Sequence, residues 1–232
     1  MKAVILAGGL GMRLKPFTEI VPKPLLPIGE KSVLEIQIQR LKQSGFDELY
    51  LATNYMAEYI ESYLGDGSRF GVSIKYSKET KPLGTCGPLA LLKRELDTPF
   101  LVMNGDILTK LAYEKLFDFG CQQTSLLTIA TKVITTPFRF GNVRVDRQDY
   151  VISVEEKPEL NFEVLAGIYL MKPEILTRIQ EDTYFGMDQL IKNMLSEGEK
   201  ISRYEIKEYW LDIGQVEDYS QARKTYDEHF SE

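Results

Sequence analysis

Short runs rich in aliphatic and β-branched residues alternate with amphipathic stretches of helix length through the first hundred residues. This rhythm restricts the chain to a mainly parallel sheet covered by helices. Ala3–Leu6 reads as the first strand. Ser32 can cap a helix over about Val33–Ser44, with Glu35 completing a capping box, Leu34, Ile38 and Leu41 on one face, and Gly45 as the stop. Glu48–Ala52, Val72–Tyr76 and Phe100–Met103 follow as strands, with Met56–Leu64 and Gly87–Glu95 as helices between them. The expected fold is α/β, with a doubly wound, mixed but mainly parallel sheet of the Rossmann-like kind.

The second half loosens the rhythm. Leu126–Lys132, Gly141–Val145, Val151–Val154 and Leu165–Met171 read as strands joined by short polar turns, with few helices between, which makes a mixed-sheet subregion. Pro173–Gln180 and Met187–Ser196 read as helices, Ile201–Glu205 and Trp210–Ile213 as strands, and Val216–His229 as a closing helix. No repeat or flexible linker divides the 232 residues, so residues 1–232 are expected to form one domain.

Lys and Arg total 28 against 34 Asp and Glu, a net charge of -6, and no basic run offsets it. Nucleic acid and anionic membranes are therefore not expected partners. Apolar stretches such as Val4–Ala7 and Ser125–Ala130 are far too short to cross a bilayer, and a cytoplasmic protein is expected. Cys86 and Cys121 form no ligand cluster with the single histidine, His229, which argues against a zinc site. Both cysteines are expected as small buried hydrophobes.

The first strand runs into Gly8-Gly9-Leu10-Gly11-Met12-Arg13-Leu14, where glycines let backbone N–H groups approach an anion closely. The spacing is not that of a dinucleotide fingerprint, since Pro16 interrupts the segment, and no Gly-Lys-Ser/Thr closes a Walker loop. A glycine-rich turn alone is more often an ordinary strand-to-helix connection. Arg13 adds a planar donor fork suited to phosphate, and Lys23 sits on a segment stiffened by Pro22 and Pro24.

Together, Leu6-Ala7-Gly8-Gly9-Leu10-Gly11-Met12-Arg13-Leu14 and Pro22-Lys23-Pro24-Leu25 resemble the signature of the sugar-1-phosphate nucleotidyltransferases. Gly84-Thr85-Cys86-Gly87, Asn104-Gly105-Asp106, Glu155-Glu156-Lys157-Pro158, Ala166-Gly167-Ile168-Tyr169 and Trp210-Leu211-Asp212-Ile213-Gly214 are similar to the family's later motifs and occur in the same order. In look the chain is nearest to the mannose-1-phosphate and heptose-1-phosphate guanylyltransferases. The resemblance implies a GT-A-like core, with residues 1–110 or so binding nucleotide and about 111–232 binding sugar phosphate. It also implies that Leu6, Ala7, Gly8, Gly9, Gly11, Met12, Arg13 and Lys23 cradle the nucleotide together with Glu79, Gly84 and Asp106. Asn104, Glu156, Lys157, Gly167 and Asp212 would then hold the sugar phosphate. Arg13, Lys23, Asp106 and Asp212 are the implied catalytic groups, and Asp106 and Asp212 the implied metal ligands. Family members commonly carry Thr where this chain has Met12, so altered affinity is expected there.

Asp106 lies at the carboxyl end of an expected strand, where α/β sheets place ligands, and a carboxylate there suits a hard cation such as Mg²⁺. As acceptors only, the oxygens of Glu79 complement the two adjacent donors of guanine, N1–H and N2–H₂, so GTP is favoured. Mannose or a manno-configured heptose 1-phosphate is the favoured acceptor, and glucose 1-phosphate with UTP or dTTP the alternative. A noncatalytic nucleotide-sugar-binding subunit would be expected to lose a carboxylate or the Arg13/Lys23 pair, and the glycine spacing disfavours a dehydrogenase. The expected partners are thus small molecules, a nucleoside triphosphate and a sugar 1-phosphate. Monomer and homodimer stay equally open, and the chain is expected to lack the C-terminal β-helix that many relatives append.

Overall fold

A computed structural model of the protein describes residues 1–230. The first half supplies four parallel strands, β1 (Lys2–Leu6), β2 (Glu48–Thr53), β3 (Ser73–Lys78) and β4 (Phe100–Asn104), in the spatial order 3-2-1-4. After them come a short strand β5 (Ile107–Thr109), β6 (Leu127–Pro137), β7 (Asn142–Val145), β8 (Val151–Glu155), β9 (Glu159–Met171), β10 (Ser202–Glu205) and β11 (Trp210–Asp212). β9 pairs antiparallel with both β4 and β6, and β10 runs parallel to β6, so the central sheet has seven strands and is mixed, as expected. The expected Rossmann-like architecture is present.

Strand alternation divides the core in two. Ala3 and Ile5 point to the face covered by α1 (Val33–Gln43), where Leu34, Ile38 and Leu41 are fully buried. Each such side chain contributes on the order of 1.5–3 kcal/mol. Val4 points the other way, toward Leu89, Val102 and Tyr169. α1 begins with the expected capping box: Ser32 Oγ accepts from Glu35 N–H at 3.2 Å, and Glu35 Oε2 accepts from Ser32 N–H at 2.9 Å. Such a cap contributes about 1 kcal/mol. α2 (Ala57–Leu64) matches expectation closely, starting after Met56, which adopts φ 52°.

Several elements differ from the sequence reading, each for a local reason. Gly87–Leu92 is a 3-10 turn rather than an α-helix, and it is tied at its start by Cys86 and Gly87 N–H, which both donate to the carbonyl of Phe185. Pro173–Arg178 is likewise 3-10. A helix α3 (Tyr113–Gln122) was not expected, and it contains Gly120. Gly120 is there for contact, since a Cβ would fall 2.2 Å from Leu170 Cδ2. Strands β6 and β9 extend far beyond the buried parts at Leu126–Lys132 and Leu165–Met171, forming a two-stranded arm wet on both faces. After α4 (Met187–Ser196), the expected closing helix divides at Thr225 into α5 (Val216–Lys224) and α6 (Tyr226–His229), whose Tyr226 ring packs over Gly29. Cys86 is buried, and burial pushes its thiol up to about 12, but Cys121 is exposed on α3, contrary to expectation. Among the described residues no helix is long and apolar enough to cross a membrane.

Candidate active site

The carboxyl ends of β1, β2, β3 and β4 open on one edge of the sheet, and the connections leaving them wall a cleft of about 400 Å³, within the range of small-molecule sites. Leu6, Gly8, Gly9, Glu79, Gly84 and Asp106 of the expected nucleotide side line it, with Asn104 from the expected sugar side, whereas Ala7, Gly11, Arg13 and Lys23 are not among its walls. Ala7 N–H donates to Ala52 O at 2.8 Å and Gly105 N–H to Leu6 O at 2.9 Å, which ties the glycine loop to the neighbouring strands. Gly11 adopts φ 62°, and a Cβ there would lie 2.7 Å from Thr18 Cγ2. Gly8 must lack a side chain for another reason, because a Cβ would meet Glu79 Oε1 at 2.9 Å.

Glu79 leaves the end of β3 by donating its N–H to Thr53 O, and its Oε2 accepts from Leu83 N–H at 2.9 Å. Burial raises its carboxyl above the ordinary range, against the opposing pull of hydrogen bonds from Leu83 and Asn54. Asn54, the residue after β2, also lines the cleft and was not expected there. Nothing local marks it: it becomes relevant only because β2 and β3 pair in parallel and end together. Tyr184, from the far end of the chain, is a second unexpected wall residue.

On the floor, Lys23 Nζ pairs with Asp106 Oδ2. The other oxygen, Oδ1, is buried and has no hydrogen-bond partner among the described residues. Asp212 reaches this point through antiparallel pairing of β11 with β5, opposite Ile107, and Ile213 N–H donates to Asp106 O at 3.0 Å. Partial burial first, then the neighbouring Asp106 carboxylate, push the Asp212 carboxyl up, while Lys23 and Arg13 pull it down. Arg13 stands next to Gly214, where a Cβ would be 3.8 Å from its Nη1. Asp106, the one of these four side chains that lines the cleft, therefore has a second carboxylate and two cations around it. An orphaned buried carboxylate oxygen beside a second, mutually repelling carboxylate suits a divalent cation, and two such groups suffice for one that keeps water and phosphate ligands. Among the described residues no group of three or more His, Cys, Asp or Glu is arranged to hold a metal.

The sugar-side expectations divide. Gly167, at φ 68°, lies against Asn104, whose Nδ2 would be 2.8 Å from a Cβ there. Glu156 and Lys157 instead stand exposed at the end of the β7–β8 hairpin, 74% and 70% accessible, 4.0 Å from each other and not among the cleft walls. Met12 is 60% exposed and does not line the cleft.

The mixed, mainly parallel sheet, the glycine loop after β1 and the carboxylate pair at the strand ends define a Rossmann-like α/β protein whose cleft sits where such sheets place ligands. The chain belongs to the nucleotidyl transferase family, which it matches over residues 2–229. It is 36% identical over 234 residues to a probable mannose-1-phosphate guanylyltransferase 1 of Oryza sativa subsp. japonica, covering 97% of this chain and 64% of that protein. Among solved structures, it is similar to a putative glucose-1-phosphate thymidylyltransferase from Bacillus anthracis, with TM-score 0.79, 26% identity and coverage of 97% and 94%. HddC from Yersinia pseudotuberculosis, complexed with GMP-PN, gives TM-score 0.75, 28% identity and coverage of 97% and 99%. The chain thus spans just under two thirds of the length of the rice protein.

Proposed function

We propose that this chain transfers a nucleotidyl group from a nucleoside triphosphate, GTP in preference, to a sugar 1-phosphate of the mannose or manno-heptose type, releasing pyrophosphate. The observation that carries the reading is the floor of the cleft, where Lys23 holds one oxygen of Asp106 and leaves the other buried and unpartnered beside Asp212. Likeness to a probable mannose-1-phosphate guanylyltransferase and to a GMP-PN complex supports guanine.

A sugar 1-phosphate is already ionised at neutral pH, so in-line attack of its oxygen on the α-phosphorus needs no protein nucleophile and no general base. Alignment and charge neutralisation supply the catalysis. Backbone N–H groups at Gly8, Gly9 and Gly11 hold the triphosphate, and Arg13 and Lys23 neutralise the phosphates as pyrophosphate departs. Mg²⁺, held by Asp106 and Asp212, would supply further neutralisation of phosphate charge. Glu79 reads the guanine edge through its oxygens, while Asn104, Gly167, Glu156 and Lys157 bind the sugar phosphate. Substrates are therefore small molecules.

Pyrophosphate release from a matrix of nucleoside triphosphates against sugar 1-phosphates, with Mg²⁺, tests this reading. GTP with mannose 1-phosphate or a manno-heptose 1-phosphate is expected to be fastest. Fastest release with UTP or dTTP and glucose 1-phosphate would overturn the guanine assignment and keep the transfer; no release with any pair would overturn the transfer itself.

A further inference from the structure

We propose that Tyr184 is the platform on which the nucleobase stacks, the partner of Glu79 in base recognition. The inference rests on the nucleotidyl-transfer reading above. A planar base offers two things to a protein, an edge of donors and acceptors and a pair of apolar faces, and Glu79 can answer only the edge.

Tyr184 lines the same cleft as Glu79, Pro82 and Gly84, yet its side chain is 64% exposed and has no hydrogen-bond or ring partner among the described residues. Other aromatic rings, Phe140 and Tyr150 among them, are as exposed, but Tyr184 is the exposed ring that lines the cleft, where a planar ligand can cover it. Its backbone, by contrast, is held tightly. Phe185 N–H donates to Leu83 O at 2.9 Å, and Phe185 O accepts from Cys86 and Gly87 N–H at 2.9 and 3.0 Å. Met187 N–H donates to Thr85 Oγ1 at 2.9 Å, and Lys81 pairs with Asp182 at 2.8 Å.

The two strips run so close that only glycine fits between them. A Cβ at Gly84, which adopts φ 81°, would lie 2.7 Å from Phe185 O, and one at Gly87 would lie 2.8 Å from Thr183 O. The loop bearing Tyr184 is therefore locked to the loop that Glu79 itself grips through Leu83 N–H. Edge reader and aromatic face sit on one rigid unit, although more than a hundred residues separate them in sequence. Such pre-organisation lowers the ordering cost of binding a flat ligand.

Equilibrium binding by calorimetry with Mg²⁺ present tests this, comparing GTP with inorganic tripolyphosphate, which has phosphates and no base. Tyr184→Ala is expected to weaken GTP about 10- to 100-fold, the range of base-on-aromatic stacking, and to leave tripolyphosphate unchanged. Tyr184→Phe should bind GTP like wild type. The stacking role is overturned by a Tyr184→Ala protein that binds GTP normally, by equal weakening of tripolyphosphate, or by a Tyr184→Phe protein as weak as the alanine variant. Wild-type protein that binds no nucleoside triphosphate would overturn the nucleotidyl-transfer reading, and the stacking role with it.

Discussion

The proposed nucleotide side of the cleft and the exposed arm of β6 and β9, with Glu156 and Lys157 in the connection that enters it from the β7–β8 hairpin, are built on opposite terms. Around Gly8, Gly84 and Asp106 the backbone is so closely packed that an added methyl group would strike a neighbour or a positive φ forbids it, and the charges are already paired or poised. The arm beyond Lys132 is exposed on both faces, and among the described residues Glu156 and Lys157 have only each other as charged partners. One region holds its geometry before any ligand arrives. The other presents long, solvated side chains, which on the proposed assignment would have to become ordered as the sugar phosphate binds. The contrast suggests that nucleotide affinity is preset by packing while sugar-phosphate affinity depends on what the arm gains when it meets its ligand.

The largest expected effect lies on the preset side. Asp106→Asn keeps the shape and the Lys23 contact but removes the charge opposite Lys23 and beside Asp212. Turnover in a pyrophosphate-release assay is expected to fall about a thousandfold or more, as when a group that stabilises transition-state charge is removed. Circular dichroism should show the fold intact. Asp212→Asn should lose turnover similarly, yet melt no lower than wild type, because it relieves repulsion from Asp106. A near-normal rate in folded Asp106→Asn protein would mean that the buried, unpartnered oxygen has no catalytic task.

A smaller effect is expected on the arm. Lys157→Ala should raise KM for the sugar phosphate roughly tenfold, the worth of one charge-assisted phosphate contact, with nucleotide affinity unchanged. Stability should move by no more than about 0.5 kcal/mol, since the side chain is 70% exposed. Initial-rate kinetics with each substrate varied in turn separate the two constants. If KM for the nucleotide rises as much as KM for the sugar phosphate, arm and cradle are not independent, and the contrast fails.

The same contrast explains what the sequence revealed. Buried β1, β2 and β4, the capped helix α1 and the glycine loop were legible because burial imposes periodicity and a tight turn imposes residue type. Strands β6 and β9 were read too short because their outer halves face water on both sides, so no alternation marks them. Helix α3 was left unassigned, and the reason for the glycine inside it, the close approach of Leu170 to Gly120, lies fifty residues away. Asp106 and Asp212 could be paired only through the family resemblance, since their meeting depends on a three-residue antiparallel ladder between β5 and β11. Asn54 and Tyr184 carried no local signal at all, because each reaches the cleft through strand or loop pairing with a distant segment.

The smallest effect sharpens the cost of presetting the cradle. Burial raises the Glu79 carboxyl, so between the unfolded and folded pKa values the folded protein binds more protons than the unfolded chain. Stability therefore falls as pH rises through the folded value, and at pH 7 the ionised side chain is a burden on the fold. Glu79→Gln keeps an acceptor for Leu83 N–H and removes the charge, so its melting midpoint at pH 7 should lie modestly above that of wild type. The difference should vanish as pH falls through the ordinary glutamate range. Wild-type affinity for GTP is expected to move the opposite way, weakening as acid protonates Glu79, from a pH above that at which an ordinary glutamate titrates. The glutamine variant should bind GTP more weakly at pH 7 and lose that pH dependence. Melting and binding series on the two proteins from pH 4 to 8 check both signs; a glutamine variant less stable than wild type at pH 7 would show that Glu79 stabilises the fold it was expected to burden.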